Sequence, residues 1–261
     1  MQKFNRKVKI KKKEIKIRRI FIVAVVLVFF IFILLGFVAF KVLTLPKFSY
    51  VLKAGEKTQI VVVDTESDKY DKFELDGDLQ VETAGGFGKY KIESLWKLSE
   101  AKGLGGKLVT QTIVKNFSLP LYLWKSDRET NLNIFQNIKS YLLGSKVFGD
   151  IHIIDEPDIP EFIVVRFVDR NISEASPKIR VEDLTGKNMA GLIDQTLGVY
   201  GVKLELISRG FDEKVDCEVG GTNQLLINQV RLIFDCNKAD ILEDKDVDLV
   251  IKIGQVFADR F

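Results

Sequence analysis

The chain is poor in the residues that most readily carry chemistry. Among its 261 residues there is one histidine, His152, and only two cysteines, Cys217 and Cys236. The cysteines stand late, outside any C-x-x-C pair or Cys/His cluster, which excludes the common structural zinc patterns. They either pair as a disulfide, closing a loop of about 20 residues worth roughly 3 kcal/mol, or remain two buried thiols. His152 sits in the alternating segment Asp150-Ile-His-Ile-Ile154 with no nucleophile or orienting partner in view, and reads as an ordinary strand histidine. The acids Asp64, Asp68, Asp71, Glu74, Asp76 and Asp78 lack the spacing of a calcium loop and read as a solvated edge. Gly85-Gly86-Phe87-Gly88 lacks the Lys-Ser/Thr that would follow in a phosphate loop, and reads as a tight turn. These patterns call for no metal and no cofactor.

What the chain has in excess is one unbroken apolar run, Ile20 to Phe40, behind a tail with ten Lys or Arg and the single acid Glu14. At about 1.5 Å per residue such a run spans the roughly 30 Å hydrocarbon core of a bilayer as one helix. The run is longer than the apolar region of a signal peptide, and no paired small residues follow Phe40, so an uncleaved, single-pass anchor is expected over residues 20–41. The positive-inside rule places residues 1–19 in the cytoplasm as a basic tail and sends everything after about Lys41 across the membrane. The same tail is attracted to anionic lipid, at roughly 1 kcal/mol per Lys or Arg. Beyond residue 19 the chain holds 29 basic against 35 acidic residues, so the external part is acidic and a basic patch for nucleic acid is not expected there.

The pattern behind the anchor predicts an α/β (α+β) ectodomain in two domains, 46–171 and 178–261, joined by a short polar linker at 172–177. In the first, Gln59 to Val63 and Lys72 to Val81 read as strands, Gly105 to Phe117 as a helix, and Leu119 to Trp124 as a strand. Asn131 to Leu143 reads as a helix with Leu142 inward, and Ile151 to Ile154 and Phe162 to Val168 as further strands. In the second, Ile179 to Leu184, Val202 to Ile207, Val215 to Val219 and Asp248 to Ile253 read as strands. One helix opens at Thr185-Gly186 and a second is capped by Thr222. Trp96 and Trp124 either pack in the core or line a sugar or lipid groove.

The C-terminal block resembles the LytR C-terminal domain of the LytR-CpsA-Psr cell-envelope family. The resemblance is carried by Ile179-Arg-Val-Glu-Asp-Leu-Thr-Gly186, Gly191, Tyr200-Gly201-Val202 and Asp248-Leu-Val-Ile-Lys-Ile-Gly254. The block 46–171 looks like a shortened copy of the same family's catalytic domain. Its landmarks are Thr58 to Val63, Leu75-Asp-Gly-Asp78, Gly85 to Lys91, Gly105-Gly106 and Leu119-Pro-Leu-Tyr-Leu-Trp124. That family transfers lipid-pyrophosphate-linked polymers onto peptidoglycan, with arginines and an aspartate around pyrophosphate and magnesium, because developing phosphate charge needs cations.

Residue by residue the catalytic set does not carry over. Where the family has Arg-Ser-Asp this chain has Gly55-Glu56-Lys57, and where it has Pro-Arg-Asp this chain has Asp76-Gly77-Asp78, so only Asp78 matches. The resemblance therefore implies a non-catalytic relative, anchored in the cell membrane and binding a cell-wall glycopolymer or an envelope protein. Two alternatives stay open at this point. One is a divergent phosphotransferase whose cations come from Lys89, Lys91 and Arg128, the only reading that calls for Mg²⁺. The other is a bitopic division or envelope scaffold.

Overall fold

The computed structural model describes residues 25–145, 151–239 and 247–261, the side chain of Asn171 excepted. The basic tail and residues 20–24 of the expected span lie outside the described residues. The chain divides into two compact units, a smaller one holding residues up to Leu45 with Ile134–Lys139, and a larger one holding Pro46–Asn133 and Ser140–Phe261.

The smaller unit is dominated by α1, Val25–Leu43, whose 19 residues have a mean hydropathy of 2.9. At about 1.5 Å rise it is ~28 Å long, close to the thickness of a bilayer core. Side chains such as Phe30, Phe32, Leu34 and Leu43 are exposed on it, an apolar surface without a water-facing side. Thr44 closes the helix, its N–H and Oγ1 both donating to the Phe40 carbonyl at 3.0 and 2.9 Å. Among the described residues α1 is the one helix long and apolar enough to cross a membrane.

The larger unit is mixed α/β. Strands β1 (Phe48–Ala54), β2 (Lys57–Asp64) and β3 (Lys69–Leu75) form an antiparallel meander in which Ile60 faces Val51 on one side and Phe73 on the other. A small hairpin follows, β4 (Gln80–Glu82) and β5 (Lys89–Lys91), then helices α2 (Ile92–Ala101) and α3 (Lys107–Phe117). Strand β6 (Leu123–Lys125) runs parallel to β1, helix α4 (Ile134–Gly144) belongs to this unit from Ser140 onward, and β7 (His152–Ile154) runs parallel to β3, giving the order β6-β1-β2-β3-β7. Two short helices, α5 (Glu161–Phe167) and α6 (Arg170–Ala175), lead to β8 (Ile179–Asp183), α7 (Ala190–Val199), β9 (Leu204–Arg209) and β10 (Cys217–Gly221). Helix α8 (Gln224–Phe234), β11 (Asn237–Lys238), β12 (Leu249–Ile253) and α9 (Gln255–Arg260) complete a second sheet of order β11-β10-β12-β8-β9.

Packing follows from the alternation of side chains along strands. On β2, Ile60 and Val62 enter one buried cluster with Phe73, Leu95 and Val109, while Val61 and Val63 enter a second with Phe48, Tyr50 and Tyr70. In the second cluster the Tyr50 hydroxyl meets Tyr70 Oη at 3.1 Å and Ser140 Oγ at 2.5 Å, which satisfies the polar tip of an otherwise apolar ring. Burial, with Tyr70 beside it, pushes the Tyr50 phenol above its ordinary pKa. The first cluster continues from α2 and α3 into the second sheet, through Ile179, Val181, Ile193, Val219, Ile251 and their neighbours.

Several expected elements are corrected. Phe162 to Val168 is not a strand but α5: Pro160 stands at its N-cap, Glu161 in its first turn and Arg166 in its last, each suited to the helix end it occupies. A short apolar run fits either period, and the end signals decide it. The 172–177 stretch expected as a linker falls largely within α6, with Ile172 buried in the shared cluster. Lys72 to Val81 breaks at Asp76 into two strands. On α4 Leu142 is 48% exposed, and Leu143 takes the buried position instead. Asn223, not Thr222, caps α8, its Oδ1 accepting from Leu226 N at 3.1 Å. Beyond β12 the chain adds α9, whose Phe257 and the following Phe261 stack at 5.0 Å and meet Phe234. Arg260 ties this end to α8 by donating to the Phe234 and Asp235 carbonyls at 3.0 Å.

The start of α7 is held by Asp183, a buried carboxylate at the end of β8. It accepts from Thr185 N, Thr185 Oγ1 and Ala190 N at 3.1, 2.6 and 2.8 Å. The two cysteines form a disulfide between the start of β10 and the residues just after α8, with Cα atoms 4.5 Å apart. In the chain-entropy picture a crosslink over this separation stabilises the domain by roughly 3 kcal/mol. Replacing both cysteines by alanine should therefore lower the thermal unfolding midpoint, while mild reduction of the wild type should produce the same shift.

Candidate functional site

The chain between β3 and α2 holds Asp78. Asp76 Oδ1 accepts from Asp78 N at 3.0 Å, an Asx turn, and the turn is fastened to the head of α2 by Glu93 N donating to the Gly77 carbonyl at 3.2 Å. Across the β4–β5 hairpin Gln80 pairs with Lys91, which brings Lys91 Nζ to 2.5 Å from Asp78 Oδ1. The hydrogen bond and charge of Lys91 hold the Asp78 carboxyl below the usual carboxylate range, and Asp78 in turn raises Lys91. Both side chains are open to water, at 79% and 45% exposure, so the pair is of the kind that contributes little to stability.

Gly85-Gly86-Phe87-Gly88 is the hairpin's turn. Gly85, Gly86 and Gly88 all have positive φ, Thr83 Oγ1 donates to the Gly88 carbonyl at 2.8 Å, and Ala84 N donates to Thr112 Oγ1 at 3.1 Å. The Gly88 carbonyl and the Ala84 amide at its two ends are thus engaged within the fold. Lys89 lies on β5 opposite Glu82.

Arg128 is at the other end of α2. It lines a groove of about 290 Å³ together with Glu100 near the helix C-terminus, Glu129, and both tryptophans. Ten helical residues, about 15 Å, separate the Lys91 end from this one. Of the three cations only Lys91 is brought to Asp78; Lys89 lies two residues along β5 opposite Glu82, and Arg128 stands at the other end of α2.

The groove is built by close approach of backbone to ring. A Cβ on Gly106 would fall 2.2 Å from Trp124 Cγ and Cδ2, and one on Gly105 3.1 Å from Cζ2, so the indole lies flat on the glycine pair. Ser99 Oγ donates to the Gly105 carbonyl and fixes that loop. Trp96 is buried against β2, its Nε1–H donating to Thr58 Oγ1 at 3.1 Å. Lys53 pairs with Glu100 at 2.9 Å and sits 6.0 Å over the Trp96 ring. That hydrogen bond and charge, with Arg128 adding to them, keep Glu100 below the ordinary carboxylate pKa.

A second groove, about 410 Å³, is lined by four cations, among them Lys47 and Arg166, and by four carboxylates, among them Asp64 and Asp71. Lys47 Nζ donates to the Val168 carbonyl at 3.1 Å, and Arg166 Nε lies 3.9 Å from Asp71. Burial lowers the Lys47 ammonium, although Asp64, Asp169 and Asp71 oppose the shift. The groove carries no excess of either charge. His152 packs between rings, Phe73 at 6.5 Å and Phe162 at 5.2 Å. Among the described residues no three His, Cys, Asp or Glu gather as a metal site.

No protein-family model and no curated protein matches the chain. Among solved structures it is similar to a transcriptional regulator from Enterococcus faecalis, at 12% identity over 70% of this chain and 80% of the other, with a TM-score of 0.27. It is also similar to a protein from Streptococcus agalactiae, at 11% identity over 79% and 94%, with a TM-score of 0.23. Likeness at this level carries neither fold nor function to this chain.

Two outcomes are expected. In Lys91→Met the Asp78 carboxyl, followed by NMR, should titrate higher, near its ordinary value of about 4. Because the folded pKa is depressed, what the pair adds to stability is present at neutral pH and is lost as pH falls through that lowered value. In Thr58→Val the Trp96 N–H loses its buried acceptor, and unfolding should become easier by about 1–3 kcal/mol.

Proposed function

We propose that this is a membrane-anchored, non-catalytic envelope protein of the LytR-CpsA-Psr type, with its α/β ectodomain outside the cytoplasm, where it binds cell-wall polymer or a partner protein. The observation that carries the non-catalytic reading is the state of Asp78. It is the one residue that matches the family's charged set, and its carboxylate is taken up by a single exposed lysine. Phosphoryl transfer needs several cations converging on developing charge. Here Lys91 is engaged, Lys89 lies across the strand from Glu82, and Arg128 stands at the far end of α2.

The anchoring rests on α1, and the orientation on the basic residues that precede it. The disulfide fits an oxidising compartment outside the cytoplasm. On this reading α1 keeps the ectodomain close to the membrane, and the acidic external surface contacts the wall through sugars rather than through phosphate.

The full chain, purified in detergent, should sediment with insoluble cell-wall polymer and show no Mg²⁺-dependent binding of a polyprenyl pyrophosphate. Saturable, Mg²⁺-dependent pyrophosphate binding that is lost in Asp78→Asn would overturn the non-catalytic reading.

A further inference from the structure

The groove at the C-terminal end of α2 combines a fixed indole, exposed charged side chains and an open cavity. Trp124 and Trp96 line it, and neither can easily turn away, since Trp124 lies on Gly105–Gly106 and Trp96 is hydrogen-bonded to Thr58. Arg128 and Glu129 are exposed at its rim, and among the described residues neither side chain is drawn into an ion pair. Glu100 is already neutralised by Lys53. Ser126, also in the lining, is taken up by the Glu129 carbonyl and by the Arg128 and Glu129 amides, so the remaining polar lining is one donor-rich guanidinium and one acceptor carboxylate, with no surplus positive charge.

We propose that this groove binds one neutral pyranose unit of a glycan. The C–H face of a sugar ring is apolar and suits a fixed indole, while its hydroxyls both donate and accept, matching Glu129 and Arg128 together. A cavity of about 290 Å³ lies at the small end of the range for ligand sites and suits a single ring. A phosphate or pyrophosphate would meet Glu129 and Glu100 with only Arg128 unspent, and is disfavoured. The source of the sugar as wall polymer rests on the function proposed above, whereas the groove's chemistry stands on its own geometry.

The chain offers a built-in reporter, because its only two tryptophans both line this groove. Tryptophan emission of the full chain in detergent is followed while chitotriose, maltotriose or inorganic pyrophosphate is added. A saturable change with at least one neutral trisaccharide and none with pyrophosphate is expected. Arg128→Ala and Glu129→Gln should each weaken that binding by about tenfold, the loss of one good hydrogen bond to a charged group, without moving the thermal midpoint. No saturable change with either sugar, unchanged affinity in both variants, or a response to pyrophosphate alone would overturn the assignment. Wall sedimentation in the same preparation separates the two ideas: retained sedimentation without a sugar response overturns the groove alone, and loss of both overturns the proposed function as well.

Discussion

The constraint on which the larger unit depends is the burial of β2 on both of its faces. A strand carrying Ile60, Val61, Val62 and Val63 in sequence cannot leave either face to water without exposing β-branched side chains. One face is covered by α2 and α3, and on the other Val61 and Val63 pack with their cross-strand neighbours Phe48, Tyr50 and Tyr70 beneath Leu132 and Leu143. The position of α2 follows from that requirement, and both candidate sites follow from α2. Its N-terminal end receives the Asp76–Asp78 turn and Lys91, and its C-terminal end carries Glu100 into the tryptophan groove.

The same apolar cluster continues into the second sheet, so α3 contacts both halves of the unit. Within that second sheet order depends on a few polar fastenings. Asp183 satisfies the first amide of α7, Arg260 satisfies the carbonyls at the end of α8, and the disulfide joins β10 to Cys236 just beyond α8. Each acts where a helix end would otherwise bury unpaired backbone groups or where two segments distant in sequence must stay adjacent.

Charge on the described surface is balanced locally rather than gathered. Lys91 meets Asp78, Lys53 meets Glu100, Lys107 meets Asp235 and Lys187 meets Asp259. The charged groove beside Lys47 repeats the arrangement with equal numbers of cations and carboxylates. Such a surface lends itself to neutral polar ligands more than to polyanions, and in the tryptophan groove it is combined with a fixed indole.

Much of the local structure was legible in the residues themselves. The apolar run leading to α1, the β-branched run of β2 and the 3.6-residue period of α3 each state their own element, because length, branching and periodicity are properties of a contiguous segment. The short runs were not decidable in that way, and Phe162 to Val168 became α5 through its end signals and packing. Proximity between distant segments belonged to the tertiary structure. Sequence spacing left the cysteines as thiols or a disulfide and the tryptophans as core or groove, since neither separation in space is written in separation along the chain. The fold closed the disulfide by returning α8 along β10, and the β4–β5 register set Lys91 against Asp78. Both indoles came to one groove because Gly106, with no Cβ, let Trp124 lie against the start of α3.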